Sequence, residues 1–354
     1  MCLSEISAAA DYHLLPSPVP VTLHQWPETV SPLVSVVCMT YNHEPFIREA
    51  IMGFLMQRTT FKIEILIHDD ASIDKTADIV KEFEHEFPML IKPTYQVENQ
   101  YKKNPKTAKY VQPCERKGKY IAFCEGDDYW TDPLKLQKQV EFLEANPGYS
   151  FSYCRFETLN EETGEVQPDN NGKLFEKGEA LVEFDFERFY KGWHMGSQTL
   201  VYRKSMWDPA YARKYKYAKD IHLIVHLLLQ GKGACLGFSG AVYRKHKGGV
   251  YSGASDIDNA KLSYLCYREI YQKNRQEYFL KLKYIRFAKF YIDHLVKVDK
   301  YAKAFLVASI LMLQTRQINY YNTIAAHFAR HNKNRAKARL RNAFVRLRTA
   351  FRGR

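Results

Sequence analysis

The sequence contains no C-x-x-C pair, and its seven cysteines (Cys2, Cys38, Cys114, Cys124, Cys154, Cys235 and Cys266) are odd in number and scattered. This argues against a cysteine-based zinc site or a disulfide framework and fits a reducing compartment. Cys38 and Cys124 lie in apolar runs and are expected as small core residues. Residues 1–31 lack a basic start followed by an apolar block, so no Sec-type signal is predicted. Long apolar runs are also missing. The longest, "AFLVASILML" at 304–313, is too short to cross a bilayer and is expected to be a buried helix. Acid is absent from the end of the chain. No Asp or Glu follows Asp299, whereas residues 300–354 hold 13 Lys and Arg, and residues 1–299 carry 39 groups of each sign. The net charge of +13 is thus a property of the tail. No internal repeat is visible.

What the chain does have is an alternation of strand and helix patterns. Residues 1–31, with Pro16, Pro18, Pro20 and Pro27 and no sustained period, are expected to be a tail or a strap over the surface. "LVSVVCM" (33–39) reads as a strand buried on both faces. After the loop "TYNHE", Pro45 suits a first helical turn, and "PFIREAIMGFLMQ" reads as a helix. A strand "IEILI" (63–67), a polar loop "HDDASIDKT", a helix through "ADIVKEFEHEF" and a strand "YIAFC" (120–124) follow. In "TDPLKLQKQVEFLEANPG" Asp132 is a natural N-cap, Pro133 fits the first helical position, and Leu136, Val140 and Leu143 share a face. This order predicts a mostly parallel sheet with crossover helices, in which ligands bind outside the carboxyl ends of the strands. Three polar clusters, Thr40–Glu44, His68–Asp74 and Glu125–Asp128, fall at three such ends. Residues 149–255 mix short strands with loops and a helix near 219–230, and residues 256–330 read as helical and aromatic-rich.

The acids Glu125, Asp127 and Asp128 close an apolar run. Close carboxylates repel, and burying them is costly unless a cation lies between them. A divalent metal that grips a diphosphate is one answer, because Mg²⁺ and Mn²⁺ take oxygen ligands and often share them with substrate phosphates. A solvated acidic turn is the other.

"VSVVCMTYNHEPFIREAI", "EILIHDDASIDKTADIV" and "YIAFCEGDDYWTDPLKLQKQVEFLEANP" resemble three successive blocks of family 2 glycosyltransferases with the GT-A fold, and "AVYRKHKGGV" (241–250) resembles a closing segment of many bacterial members. The match runs over roughly residues 33–250 in matching order and spacing. The resemblance implies an α/β GT-A (Rossmann-like) fold, a mixed and mostly parallel sheet flanked by helices, with a C-terminal helical region. The expected division is a tail (1–31), a GT-A domain (32–255), a helical extension (256–330) and a basic amphipathic tail (331–354). The implied activity is metal-dependent, inverting transfer from a nucleotide-diphosphate sugar, UDP by default, to a glycan or lipid-linked acceptor in surface polysaccharide or lipopolysaccharide assembly.

Carried over residue by residue, Thr40 and Asn42 match the loop that contacts the nucleotide, and Asp69 and Asp70 match the acids that bind base and ribose. Glu125 and Asp127 match the D-x-D acids, with Asp127 as the direct metal ligand and Glu in place of the commoner Asp. Glu44, Gly126 and Asp128 join them as expected donor-site residues within the same clusters. Asp220, at the start of a helix, matches the family's base, which takes the acceptor hydroxyl's proton; the alternative is a plain N-cap. His246 is a candidate metal or diphosphate ligand in a loop followed by two glycines, and Arg244, Lys245 and Lys247 are candidates to steady phosphate charge. His194 is a candidate for the acceptor pocket or a packing partner of Trp193. His68 is read as a strand-end residue, and His222 and His226 as packing residues, since no H-E-x-x-H accompanies them.

In the tail, Leu340, Phe344, Leu347 and Phe351 form a narrow apolar face among Arg and Lys, the pattern of a helix lying on an anionic membrane. The expected location is cytoplasmic, at the inner face of the membrane. A disordered end, or docking of the stripe on the chain's own domain, are the competing readings. Two other functions compete. Nucleotidyl transfer usually wants a glycine-rich basic loop after the first strand, and "TYNHEPFI" has no glycine. An inactive membrane- or nucleic-acid-binding protein acting through the tail is the other, although no specific nucleic-acid motif is present.

Overall fold

The structure, a computed structural model, describes residues 13–103, 116–175, 178–192, 195–217, 219–248, 255–316, 320, 324–326 and 328–330. The basic amphipathic tail (331–354), His194 and Trp193 lie outside the described residues. The chain divides into two compact units, Met1–Ser252 and Gly253–Arg354.

In the first unit the strands are β1 (Leu14–Pro20), β2 (Val34–Thr40), β3 (Arg58–Phe61), β4 (Ile63–Asp69), β5 (Ile91–Tyr95), β6 (Tyr120–Phe123), β7 (Tyr129–Trp130), β8 (Tyr149–Asn160), β9 (Val166–Pro168), β10 (Leu181–Phe184), β11 (Val201–Arg203) and β12 (Lys232–Lys245). The helices are α1 (Ile47–Leu55), α2 (Thr76–Glu86), α3 (Gln100–Lys103), α4 (Lys135–Ala145), α5 (Phe186–Lys191), α6 (Pro209–Arg213) and α7 (Asp220–Gln230). The main sheet runs β10-β12-β8-β11-β6-β2-β4-β5, with β7 and β9 paired to β12 and β8. β6, β2, β4 and β5 are mutually parallel, as are β12 and β8, while β11 and β10 run antiparallel to their neighbours.

The parallel half is buried as its composition requires. Every residue of β4 is buried, and β2 is buried except at Met39. Glu64 within β4 is tolerated because Ser35 Oγ donates to it at 2.5 Å and the Lys117 amide at 2.8 Å. Helix α1 buries Ile47, Ala50, Ile51 and Phe54, spaced as one helical face demands. Gly53 lets α1 approach β7, since a Cβ there would lie 2.9 Å from the Trp130 amide nitrogen.

Two local expectations shift. Residues 14–20 do not merely drape: β1 pairs antiparallel with β3. Its prolines are compatible with this because an edge strand can leave backbone donors unpaired. Helix α4 starts at Lys135, not directly after Asp132. Asp132 instead accepts from the Leu134 amide at 2.8 Å and from Lys138 Nζ at 2.6 Å, closing a turn ahead of the helix.

The second unit contains α8 (Asp256–Lys273), α9 (Tyr278–Lys297) and α10 (Tyr301–Thr315). Ser255 caps α8. Its core is a set of stacked rings: Tyr264 against Tyr291 at 5.4 Å, Tyr271 against Tyr284 at 5.6 Å and Tyr267 against Phe287 at 4.4 Å. Among the described residues no helix is long and apolar enough to cross a membrane.

Candidate active site

The sheet brings the three polar clusters to one edge. Thr40 at the end of β2 is level with Asp69 at the end of β4, and Val37 pairs with Phe123 at the end of β6. The segment 124–128 then turns back over the edge, its Cys124 and Gly126 amides donating to the Val37 and Met39 carbonyls at 3.1 and 2.9 Å. Gly126 is needed for this approach: a Cβ would lie 2.8 Å from Thr40 Oγ1 and 2.9 Å from Ile47 Cδ1. Trp130 anchors the far side, fully buried, with Nε1 donating to the Gln198 carbonyl at 2.7 Å and Phe54 edge-on at 4.8 Å.

Asp127 is the centre of the site. Its Oδ2 lies 3.2 Å from His246 Nε2 and 3.7 Å from His43 Nε2, and its Oδ1 has no partner. Burial disfavours its ionised form, but the hydrogen bond with His246 and the nearness of His43 outweigh burial and hold the carboxyl below its usual range. His43 is itself kept below the usual imidazole range by burial. Glu125, Asp127 and Asp128 offer oxygens within 4.8 Å of one another. The set of carboxylate oxygens plus an imidazole, with one buried carboxylate oxygen unsatisfied, fits Mg²⁺ or Mn²⁺.

Several of the expected site residues also make contacts within the protein. Asp128 turns inward, 1 % exposed, and its Oδ1 accepts the Arg244 amide at 2.8 Å. Burial and the neighbouring Asp127 push its carboxyl well above the usual range, and its hydrogen bond to the Arg244 amide ties the loop to β12. Arg244 is engaged by protein groups. Its guanidinium pairs with Glu49, lies 2.6 Å from Glu161, donates to the Asp127 carbonyl at 3.0 Å and stacks on Tyr129 at 4.3 Å. Lys247 is exposed and pairs with Glu162 at 3.2 Å, and Lys245 is exposed. Asp69 and Asp70 are buried and spend their oxygens on the loops beside them. Asp69 accepts from Ser72 Oγ and amide at 2.5 and 3.2 Å, and Asp70 from the Gln100 and Tyr101 amides at 2.6 and 3.0 Å. Both shape the wall, because the loop amides have no strand to pair with.

The first loop is laced to the second. Asn42, in the left-handed region at φ 55°, accepts from the Ile73 amide at 2.9 Å, and Glu44 accepts from the Lys75 amide at 3.2 Å. Thr40 Oγ1 is buried without a partner beside Gly126. His68 is buried at the strand end. His222 and His226 are packing residues: each accepts a backbone amide, from Lys219 at 3.0 Å and from Asp208 at 3.2 Å, and burial drives His222 down to about 4.

Asp220 opens α7 and lines a small apolar niche with Trp207, Leu223 and others. Burial, and then the negative charges of Asp128, Asp127, Glu125 and Asp220, push the Tyr243 phenol up to about 12. Tyr243, His43 and Glu49 were not singled out from sequence. His43 sits inside the Thr40–Glu44 cluster, which was signal enough; Glu49 acts through its pair with Arg244, which only the fold creates.

Residues 35–206 match the family model described as glycosyl transferase family 2. The chain carries a family 2 glycosyltransferase domain. An uncharacterised Mycobacterium tuberculosis protein is 32% identical over 230 residues, 62% of this chain and 61% of the relative. The Escherichia coli UDP-Glc:alpha-D-GlcNAc-diphosphoundecaprenol beta-1,3-glucosyltransferase WfgD is 26% identical over 222 residues, 62% of this chain and 80% of the relative. The chain thus spans about three fifths of the length of the first curated relatives it matches. The family 2 domain shares its GT-A fold with S. aureus TarS 1-349, solved with UDP-GlcNAc, at a TM-score of 0.56 and 18% identity over 84% of this chain and 92% of that one. The Pyrobaculum calidifontis mannosyltransferase PcManGT, solved with GDP-Man and Mn²⁺, aligns at 0.51 and 14% identity over 87% and 88%.

Proposed function

We propose that this family 2 domain transfers a sugar, with inversion, from a nucleoside-diphosphate sugar to a glycan or lipid-linked acceptor in surface polysaccharide synthesis. The observation that carries the reading is Asp127. It is an ionised, largely buried carboxylate with one unsatisfied oxygen, set between two imidazoles at the carboxyl edge of a parallel sheet. Asp127 and His246 would hold Mg²⁺ or Mn²⁺, with Glu125 beside them. When bound, the metal neutralises charge on the departing diphosphate. Thr40, Asn42, Glu44, Asp69 and Asp70 form the nucleotide side of the cleft, and Gly126 lets the acidic loop close on it. Asp220 takes the proton of the acceptor hydroxyl as that oxygen attacks the sugar carbon. The position of Asp220 at the first turn of α7 favours its ionised form. UDP is the default nucleotide, matching the sugar donor named for WfgD and the UDP-GlcNAc bound by TarS. A lipid-linked acceptor would place the enzyme at the inner face of the membrane, with the basic residues after Asp299 as its anionic-surface contact.

The test is a thermal-shift series with UDP, GDP, CDP and dTDP, each with and without Mn²⁺, on wild type and Asp127→Asn. One nucleotide is expected to stabilise only with metal and only in wild type, by several degrees at a hundred times its Kd. No stabilisation of wild type by any of them would overturn the reading.

A further inference from the structure

Helix α10 is apolar on two sides, and only one of them is covered. Its core side holds Ala304, Val307, Ala308, Leu311 and Thr315. At about 100° per residue the opposite line holds Ala302, Leu306, Ser309 and Leu313. Leu306 is 59 % exposed and Leu313 79 %. Lys303 is the sole charged residue of the helix and lies off that line. Ser309 does not interrupt the face, since its Oγ donates to the Phe305 carbonyl at 2.9 Å. A surface helix normally turns charged residues outward, and one that is apolar all round belongs under a second cover. Exposed cations stand at both ends of the face: Lys297, Lys300 and Lys303 at one, Arg316 at the other. Asp299, the last acid of the chain, accepts from the Tyr301 hydroxyl at 3.1 Å.

We propose that this outer face of α10 rests on an anionic lipid bilayer, with Leu306 and Leu313 in the edge of the hydrocarbon and the flanking cations among the headgroups. The proposal deepens the transferase reading, on which it rests, by naming the surface that brings the enzyme to a lipid-linked acceptor. Charge selects the occupant. A second copy would set the same lysines against one another, and residues 331–354 would add nine Lys and Arg and no acid. An anionic bilayer answers both features at once: hydrocarbon takes the leucines, and headgroup phosphates lie within reach of the lysine side chains. The helix is too short to cross, so it lies in the plane of the interface. The Ser309 hydroxyl enters that interface already bonded to its own helix, which removes the cost of stranding it there.

The experiment is co-sedimentation of the full chain with vesicles of phosphatidylcholine alone and of phosphatidylcholine mixed with phosphatidylglycerol. Wild type is expected to bind the mixed vesicles at least about tenfold more tightly than the neutral ones, with the difference shrinking as salt is added. The double variant Leu306→Ser with Leu313→Ser keeps every charge and is expected to lose about tenfold or more in partition onto the mixed vesicles. Both leucines are exposed, and circular dichroism checks that the variant folds. Sedimentation velocity without lipid is expected to show the same monomer for both proteins. No binding of wild type, equal binding to the two vesicle types, unchanged partition of the double variant, or a wild-type dimer that the variant dissociates overturns the proposal. Failure of the transferase reading shows separately, as absence of nucleotide–Mn²⁺ stabilisation in the same preparation without lipid.

Discussion

Residues 1–252 hold 30 Lys and Arg against 33 Asp and Glu, whereas residues 253–354 hold 22 against 6. The first unit is built on a sheet, and the charges around its site are spent inside the protein: Arg244 on Glu49 and Glu161, Asp128 on a backbone amide, Asp69 on the Ser72 hydroxyl and amide, Asp70 on loop amides. The second is a helical unit whose sequence carries a surplus of positive charge, with a core of stacked tyrosines. The contrast separates two uses of charge. In the first unit it fixes the geometry of a small site. In the second it gives the sequence a surplus of 16 positive charges, 22 Lys and Arg against 6 Asp and Glu.

Breaking the first unit's chemistry without touching its frame gives the largest expected effect. Asp220→Asn is expected to lower sugar transfer by about 10²- to 10⁴-fold while metal-dependent nucleotide binding persists. Normal transfer by this variant would remove Asp220 from the role of base. Breaking the frame is the next step down. Arg244→Met leaves Glu49, Glu161 and the Asp127 carbonyl without their shared cation, and a cost of about 3 kcal/mol in urea unfolding is expected, together with weaker nucleotide–Mn²⁺ binding. A variant as stable as wild type would mean that Arg244 is not what holds the loop. Gly126→Ala forces a Cβ to within 2.8 Å of Thr40 Oγ1, so roughly 1–3 kcal/mol should be lost, with the melting temperature as readout.

The smallest expected effect belongs to the second unit. Lys283 is 3 % exposed among Tyr267 and Phe287, and burial lowers its ammonium from 10.5 to about 8. Between those values the unfolded chain binds the extra proton, so the Lys283 contribution to stability rises with pH from about 8 to about 10.5. Lys283→Met is expected to be the more stable protein at pH 7, by a few degrees, with the gap narrowing toward pH 10. A gap that stays constant with pH would show that Lys283 keeps its ordinary basicity in the folded chain.

The sequence announced the parallel strands because period and composition are local properties, and "EGDD" stood out because three acids in four positions after an apolar run demand an explanation. What Asp128 and Arg244 do was hidden, since adjacent acids look alike until the fold points one outward and one inward. Arg244 looked like a phosphate ligand because its partners lie 83 and 195 residues away in sequence. The strand at 14–20 was missed for a different reason. Its prolines suppress the period that identifies strands, yet an edge position tolerates them. Asp132 had the chemistry of a cap, but Pro133 and Leu134 formed a turn before the helix took hold.

The Arg244 hub also orders events in time. The guanidinium joins the carbonyl of Asp127 to Glu49, contacts that span 117 and 195 residues of chain. Closing such loops is slow compared with forming a helix or pairing neighbouring strands. During synthesis the first strands and α1 can assemble early, but the acidic loop has nothing to brace it until β12 has left the ribosome and docked. A braced acidic loop is therefore a late acquisition of the maturing chain, and a product interrupted before residue 244 would have much of the sheet and lack a finished candidate site.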